Sequence, residues 1–265
     1  MKYNTSEIKK IINGIKSEGN PVTTNYYFNI ENSDTGYETF VGDGTIIYIK
    51  PNVTRKEVTF FTNDIEECKK MLSEMPPDSV IQIVDKTENE EHEVFRGTGY
   101  GLFSIQQRVG SKLLPYDEQV KWYSNQRWDR FYDESFVGYA TEDDLEEIQR
   151  LIMDGFDPYD DDFFDDEEML KLIGDKNVMI SRQDGKITTF HIFRIQGKKM
   201  YANHVYNTGW GGALYSLEKF AVLDSIKRFG VIYKYGWIRL TNESAWKRNL
   251  MDKESMYNYT FRKVR

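Results

Sequence analysis

One segment restricts the folding choices of this chain more than any other. A strand-like run over residues 200–206 passes through Asn207-Thr208-Gly209-Trp210-Gly211-Gly212 into a helical stretch that reaches about Arg228. A second strand run, 232–240, follows at once. The helical stretch places Leu214, Leu217, Phe220, Ala221 and Ile226 at its apolar positions. Three glycines at a strand-to-helix turn let the backbone approach a ligand closely. The exposed N–H groups of the first helical turn, with the helix dipole behind them, then make an anion site. A pyrophosphate cradle is one reading of this turn. A tight turn feeding a helix start, which also favours glycine, is the other.

The rest of the chain alternates short helices with strand-length runs. Residues 5–17, opened by Thr5 or Ser6 as a cap, carry Ile8, Ile11, Ile12 and Ile15 at the i, i+3, i+4, i+7 spacing of an amphipathic helix. Strand runs at 26–30, 37–41, 45–49 and 57–62 are separated by Asn32-Ser33-Asp34, Gly42-Asp43-Gly44 and Pro51-Asn52, the pattern of an antiparallel meander. Asp64 caps a helix that Pro76-Pro77 stops, and 80–84 is a short strand. Arg96-Gly97-Thr98-Gly99-Tyr100-Gly101 reads as a turn. After a Trp-rich helical connector the order repeats. Thr141 and Asp144 resemble a capping box, a stripe of Leu145, Ile148, Leu151 and Ile152 follows, and then a short helix at 169–173. Strands at 178–182 and 187–196 have turns at Asp184-Gly185 and Gly197, and a helix from Asn242 precedes a last strand, 256–262. The expected organisation is an α+β segment at 1–110, a helical connector at 111–136 and a second α+β domain at 137–265.

Composition narrows the function classes. The chain has 265 residues, a formal charge of −8, 39% hydrophobic and 15% aromatic residues, and one cysteine, Cys68. The aromatic content supplies enough apolar area for a core. A single cysteine excludes an internal disulfide and a thiolate-rich zinc site. No run approaches the ~20 apolar residues of a membrane span. The N-terminal residues lack a signal-peptide pattern, so a cytoplasmic protein with no membrane partner is expected. The acidic balance offers no surplus of Lys and Arg for a phosphate backbone, and nucleic acid is not an expected partner. No metal is expected.

The segment 200–245 resembles the GCN5-related N-acetyltransferase (GNAT) superfamily. That family's coenzyme A loop, Arg/Gln-x-x-Gly-x-Gly/Ala, is similar to Tyr206-Asn207-Thr208-Gly209-Trp210-Gly211, and its later Asn-x-x-Ala to Asn242-x-x-Ala245. The resemblance covers residues 137–265 in element order. It implies an α+β fold with a mixed, mostly antiparallel sheet flanked by helices, whose fourth and fifth strands splay apart. Two such domains in tandem, the first a degenerate copy, would account for the repeated order.

It also implies acetyl-CoA or another acyl-CoA as cosubstrate. Thr208, Gly209, Trp210, Gly211, Gly212 and Ala213 would hold its pyrophosphate, and the main chain of Asn203–Val205 would pair with pantetheine as an added strand. Asn242 would lie near the thioester. Two positions depart from the pattern: Tyr206 replaces the leading Arg or Gln, and Asn249 replaces the Tyr that protonates the departing thiolate. Tyr257 and Tyr259 are nearby substitutes.

Acyl transfer to an amine needs a proton acceptor. His204, on the strand that would face the acyl group, is the candidate base, with a hydrogen-bonded strand residue as its alternative role. Residues 154–168 hold nine carboxylates among Phe156, Tyr159, Phe163 and Phe164. This cluster, with Asp157, Tyr159 and Asp160 as the candidate contacts, would attract a cationic acceptor; a solvated acidic loop is the other reading. The expected activity is transfer of an acetyl group to a primary amine, small or peptidic, by direct attack, in a chain that could form a homodimer. A non-catalytic GNAT-fold protein is the alternative, and tRNA-dependent aminoacyl transfer, a third class, is opposed by the acidic charge.

Overall fold

The computed structural model describes residues 2–19, 21–24, 37–86 and 92–264. The expected strand at 26–30 lies outside them. Among the described residues, thirteen strands form one sheet in the order β1-β3-β4-β5-β6-β13-β7-β12-β11-β10-β9-β8, with β2 joined to β5.

The first part runs β1 (Lys2–Tyr3), α1 (Thr5–Ser17), β2 (Val22–Thr23), β3 (Tyr37–Val41), β4 (Thr45–Pro51), β5 (Lys56–Thr62), α2 (Ile65–Ser73), β6 (Ser79–Asp85) and β7 (Tyr100–Lys112). The cap of α1 is Asn4, one residue before the expected Thr5. Its side chain accepts from the Glu7 N–H at 3.0 Å, and Glu7 accepts in return from the Asn4 N–H at 2.8 Å, a box that needs the acid three residues on. Ile8, Ile12 and Ile15 bury against Tyr37, Ile46, Tyr48 and Phe61. On the other face, Cys68 and Leu72 of α2 pack on Ile47, Val58, Phe60 and Ile81.

A connector, α3 (Tyr116–Ser124), leads to β8 (Gly138–Tyr139), α4 (Leu145–Gly155), α5 (Asp166–Gly174), β9 (Val178–Gln183), β10 (Lys186–Gln196), β11 (Lys199–Asn207), α6 (Gly211–Phe229), β12 (Tyr233–Arg239), α7 (Glu243–Arg248) and β13 (Asp252–Lys263). The Thr141–Asp144 capping box forms. Asp184 and Gly185 both take positive φ, +52° and +78°, as a tight hairpin between right-twisted strands demands. Helices α4 and α5 bury Ile148, Leu151, Met169 and Leu172 on one face, against Val178, Phe190 and Ile192. Helix α6 buries Leu217, Ala221 and Val222 on the other, against Met179, Phe193 and Met200.

Topology repeats between the two parts. Antiparallel β3-β4-β5 lead through α2 to β6, parallel to β5. Antiparallel β9-β10-β11 lead through α6 to β12, parallel to β11. The last strand of each part then crosses over: β13 pairs with β6, β7 pairs with β12, and β7 and β13 pair with each other. Residue 110, where the sequence reading ends the first segment, therefore lies inside β7.

Candidate active site

Strands β11 and β12 pair only from Lys199↔Tyr233 to Ala202↔Gly236, although both continue further. The cause lies on the other edge of β11. There Ile192 faces His204 and Phe193 faces Ala202, so Asn203 is the extra residue of a bulge that bends the strand. Beyond it, the edge of β11 that faces β12 has no strand partner.

At the end of this cleft, α6 begins without a side-chain cap and with no acid in its first turn. Among the described residues, each of the other six α-helices has an acidic residue there. The positive end of the longest helix is thus the one left without a carboxylate. The glycines differ in their reasons. A Cβ on Gly209 would lie 2.9 Å from Thr188 Oγ1, and one on Gly212 would enter the Trp210 indole. Gly211 has nothing within 4 Å of its would-be Cβ, so packing does not demand glycine there. Thr208 is tied down by its N–H to the Thr188 carbonyl at 2.9 Å.

The corresponding place in the first part is closed. Strand β4 takes the whole of one edge of β5, and β6 pairs with the other edge only at Lys56 and Glu57. Beyond that point β2 fills the edge, Val22 against Thr62 and Thr23 against Phe61. Asp64 caps α2, whose first turn carries Glu66 and Glu67. A strand of its own chain and three carboxylates stand where the second part has an open edge and glycines.

A cavity of about 490 Å³ crosses the centre of the sheet, with Gln82 of β6, Asn258 of β13, Gln106 and Arg108 of β7, Tyr235 and Trp237 of β12 and Tyr201 to Asn203 of β11 along its floor. The loop after α4 supplies Asp160, Asp161 and Asp162. Both parts of the chain hold this loop. Buried Arg55 donates to the carbonyls of Asp161 (2.8 Å) and Pro158 (3.3 Å). Asp160 accepts from Ser104 Oγ at 2.5 Å, Gln106 Nε2 at 3.0 Å, Thr260 Oγ1 at 2.7 Å and Arg239 Nε at 2.9 Å.

Sequence-selected residues therefore have unlike surroundings. Asp160 is consumed by structure. Asp157 closes a turn with the Tyr159 N–H, and Tyr159 lies under the Arg262 guanidinium, 3.6 Å from ring centroid to cation. His204 is buried between Phe156 and Phe164, and burial pushes its pKa down to about 4 against the upward pull of Asp162. That placement removes His204 as the proton acceptor: an enclosed imidazole cannot reach a reacting amine. Asn242 accepts from the Ala245 N–H at 3.0 Å, so the Asn-x-x-Ala motif is a helix cap here. Tyr257 packs against the cluster around Tyr259 and Phe261, away from the cavity lining. Val205 is exposed, and Asn203 lines the cavity beside the cleft.

The sequence reading missed Asp161 and Asp162 as individuals. Burial first, then Asp160 and Asp162 as like charges, raise the Asp161 carboxyl to about 6 against the pull of the Asp157 N–H and Arg239. Asp162 accepts from Asn203 Nδ2 at 3.0 Å. Tyr201, stacked on Tyr235 at 5.0 Å, is held well above its ordinary range by burial and keeps its proton. A dense run of acids signals such a site but does not say which member faces the cavity.

A sheet with a splayed parallel pair, a bulge beside the splay and a glycine-started helix at its mouth decides the architecture. The chain has the GCN5-related N-acetyltransferase fold. A GCN5-related N-acetyltransferase from Kribbella flavida superposes with a TM-score of 0.52 at 10% identity, over 85% of this chain and 89% of that one. A functionally unknown conserved protein from Staphylococcus epidermidis ATCC 12228 gives 0.51 at 11% identity, over 86% and 94%. The glucosamine N-acetyltransferase region of a fungal multi-domain GH3 beta-N-acetylglucosaminidase gives 0.52 at 10%, over 82% of this chain and 31% of that one. No protein-family model and no curated protein matches the sequence. Among the described residues, no helix is long and apolar enough to cross a membrane.

Proposed function

We propose that this chain is an acyl-CoA-dependent N-acyltransferase built from two GNAT-like copies that have exchanged their last strands, with one working cofactor cleft in the second copy. The observation that carries the reading is the unpartnered edge of β11, which runs from the bare start of α6 to a cavity lined by ionisable carboxylates. Acetyl-CoA would supply the activated acyl group. The N–H groups of Gly211 and Gly212 would hold its pyrophosphate, and the main chain of residues 203–205 would pair with its pantetheine arm. Asp162 and Asn203 orient the acceptor amine. Asp161 takes its proton as the N–C bond forms and the thioester C–S bond breaks. Tyr201 stays protonated and can donate a hydrogen bond to the leaving thiolate, which takes its proton from solvent.

The Asn249 side chain bonds to Met251, two residues on, donating to its carbonyl at 2.7 Å and accepting from its N–H at 3.0 Å. No acid stands there, and this favours the second reading, a CoA-binding protein without turnover. One experiment separates the two: calorimetry with acetyl-CoA, followed by release of free thiol in the presence of an amine panel. Binding at one site per chain with turnover supports the enzyme. Binding alone supports the second reading, and no binding by the folded protein defeats both.

The carboxyl of Asp161 predicts two pH effects. Activity should fall below about pH 6 as Asp161 takes up a proton, and Asp161→Asn should lose most turnover while still binding acetyl-CoA. A pH–rate profile with no limb near 6 would remove Asp161 as the base. The stability effect runs the other way. A raised carboxyl value means stability is fully present below the unfolded value of 3.8 and is lost as pH rises through about 6. Asp161→Asn escapes that loss and should unfold with about 3 kcal/mol more free energy at pH 8 than the wild type. Urea denaturation at pH 4 and pH 8 checks the sign.

His204→Gln, by contrast, should leave the pH profile of turnover where it is, since the imidazole is neutral and enclosed across the working range. A profile displaced by this change would return His204 to the chemistry.

A further inference from the structure

A second cavity, of about 620 Å³, opens where α3 and α6 meet the end of β7 and the start of β12. It shares no lining residue with the first cavity: Glu218 and Lys219 of α6 border it, whereas no residue of α6 borders the other. The turn 248–252 closes one side. Helix α7, just before that turn, is six residues long and buries none of them, so no long helix fills the space. The volume suits a small molecule.

The free polar groups deep in this cavity are donors. Gln119 and Tyr123, four residues apart on one face of α3, are 4% and 7% exposed. Gln119 Oε1 accepts from the Leu114 N–H at 2.9 Å, which fixes the amide and aims Nε2 the other way. Neither that Nε2 nor the Tyr123 hydroxyl has a hydrogen-bond partner among the described residues, and neither atom is sealed from solvent, so both open onto the cavity. Burial first, then Glu218 and Tyr215, hold the phenol well above its ordinary range, and it keeps its proton. The deep charges are already matched, Lys219 with Asp129 at 2.5 Å and Lys234 with Glu218. At the exposed rim, Lys112 and Arg248 stand against Asp252 alone, none of them in an ion pair among the described residues, which leaves one positive charge over. The walls are aromatic: Tyr123 meets Trp122 edge-on at 5.0 Å and Tyr215 at 6.3 Å.

We infer that this cavity binds an aromatic monocarboxylate, its ring against Trp122 and Tyr215 and its carboxylate accepting from Gln119 Nε2 and the Tyr123 hydroxyl. A carboxylate presents two acceptor oxygens and no donor, the complement of two free donors. The surplus positive charge at the rim favours entry of an anion. The site is separate from the cofactor cleft and holds whether or not the chain transfers acyl groups.

The test is calorimetry of the full chain, without acetyl-CoA, using benzoate, phenylacetate, 3-phenylpropionate and indole-3-acetate. Each is paired with the alcohol that carries a hydroxymethyl group in place of the carboxylate. At least one acid should bind saturably, at one site per chain, about tenfold or more tighter than its alcohol. Tyr123→Phe, which removes only the hydroxyl, should weaken that acid about tenfold, the worth of one hydrogen bond to a charged group. Gln119→Glu keeps an acceptor for the Leu114 N–H but sets a carboxylate against the ligand's own, and should weaken binding at least about a hundredfold. Three results would overturn the inference: no acid with a Kd below about 10 mM, alcohols that bind as well as their acids, or binding unchanged in both variants. If Gln119→Glu fails to fold by circular dichroism, Tyr123→Phe and the acid-to-alcohol ratio still decide. Failure of the transferase reading would instead show as missing acetyl-CoA binding or turnover, with acid binding intact.

Discussion

Gly211→Glu should abolish acetyl-CoA binding without weakening the fold. The two halves of that expectation come from separate observations. No atom lies within 4 Å of where a Gly211 Cβ would be, so the new side chain meets no protein group. Position 211 opens the first turn of α6, where no carboxylate is present and the dipole favours one by about 0.3–1 kcal/mol. Removal of a glycine from the helix also lowers the entropy lost on folding. The melting temperature should therefore hold or rise. The same carboxylate would sit where the pyrophosphate must sit, and like charge together with lost N–H access should weaken binding at least about a hundredfold, or ~2.7 kcal/mol. Gly211→Ala fills the same open space without charge and should bind nearly as the wild type does. Calorimetry on the three proteins gives the answer: a folded Gly211→Glu protein that still binds acetyl-CoA would remove α6 from the cofactor site. Stoichiometry adds a second check, because the plugged edge of β5 predicts one site per chain despite the repeated strand topology.

The glycine-rich helix start was legible because two unlike constraints meet there, close backbone approach at Gly209 and Gly212 and a missing acid cap. Elements with one apolar face were legible as well, α1 by its isoleucines and α4 by its leucine–isoleucine stripe. Strand β7 was not. It runs from Tyr100 to Lys112 through Ser104, which donates to buried Asp160, and through Gln106 and Arg108, which line the polar floor. A strand whose buried face is polar breaks the alternation that marks a strand. The crossing of β7 and β13 between the two parts was hidden for a related reason, since pairing partners so far apart in sequence leave no local pattern. At the site, residue type gave no sign of burial. Histidine is the usual proton acceptor near neutral pH, yet His204 faces two phenylalanines while Asp161 receives the environment that brings a carboxyl into range.

Asp160, chosen from the sequence as a substrate contact, should prove to be the residue whose loss costs the fold most. Its carboxylate has a side-chain exposure of 0% and accepts from Ser104 and Gln106 of β7, Thr260 of β13 and Arg239 of β12. Those are the strands through which the two parts of the sheet are joined. Asp160→Ala leaves the donors unmet and strips Arg239 of its nearest carboxylate, at 2.7 Å, in a setting only 32% exposed. Breaking a buried pair from one side costs about 3–5 kcal/mol. For a chain of this size each kcal/mol moves the melting temperature by about 2–4 °C, so a fall of roughly 10 °C or more is expected. The penalty is mainly that of the orphaned groups, which gives the test its second arm. Asp160→Ala combined with Arg239→Met should recover part of the loss, because the abandoned guanidinium is gone. Asp157→Ala, which removes a turn contact at a half-buried position, should cost far less. If Asp160→Ala melts with the wild type and only the acceptor KM rises, Asp160 belongs to the substrate and the loop is held by Arg55 alone. A fall in stability rescued by the second substitution would instead establish that the acidic loop is fastened at the centre of the sheet by Asp160, with Asp161 and Asp162 left to line the cavity.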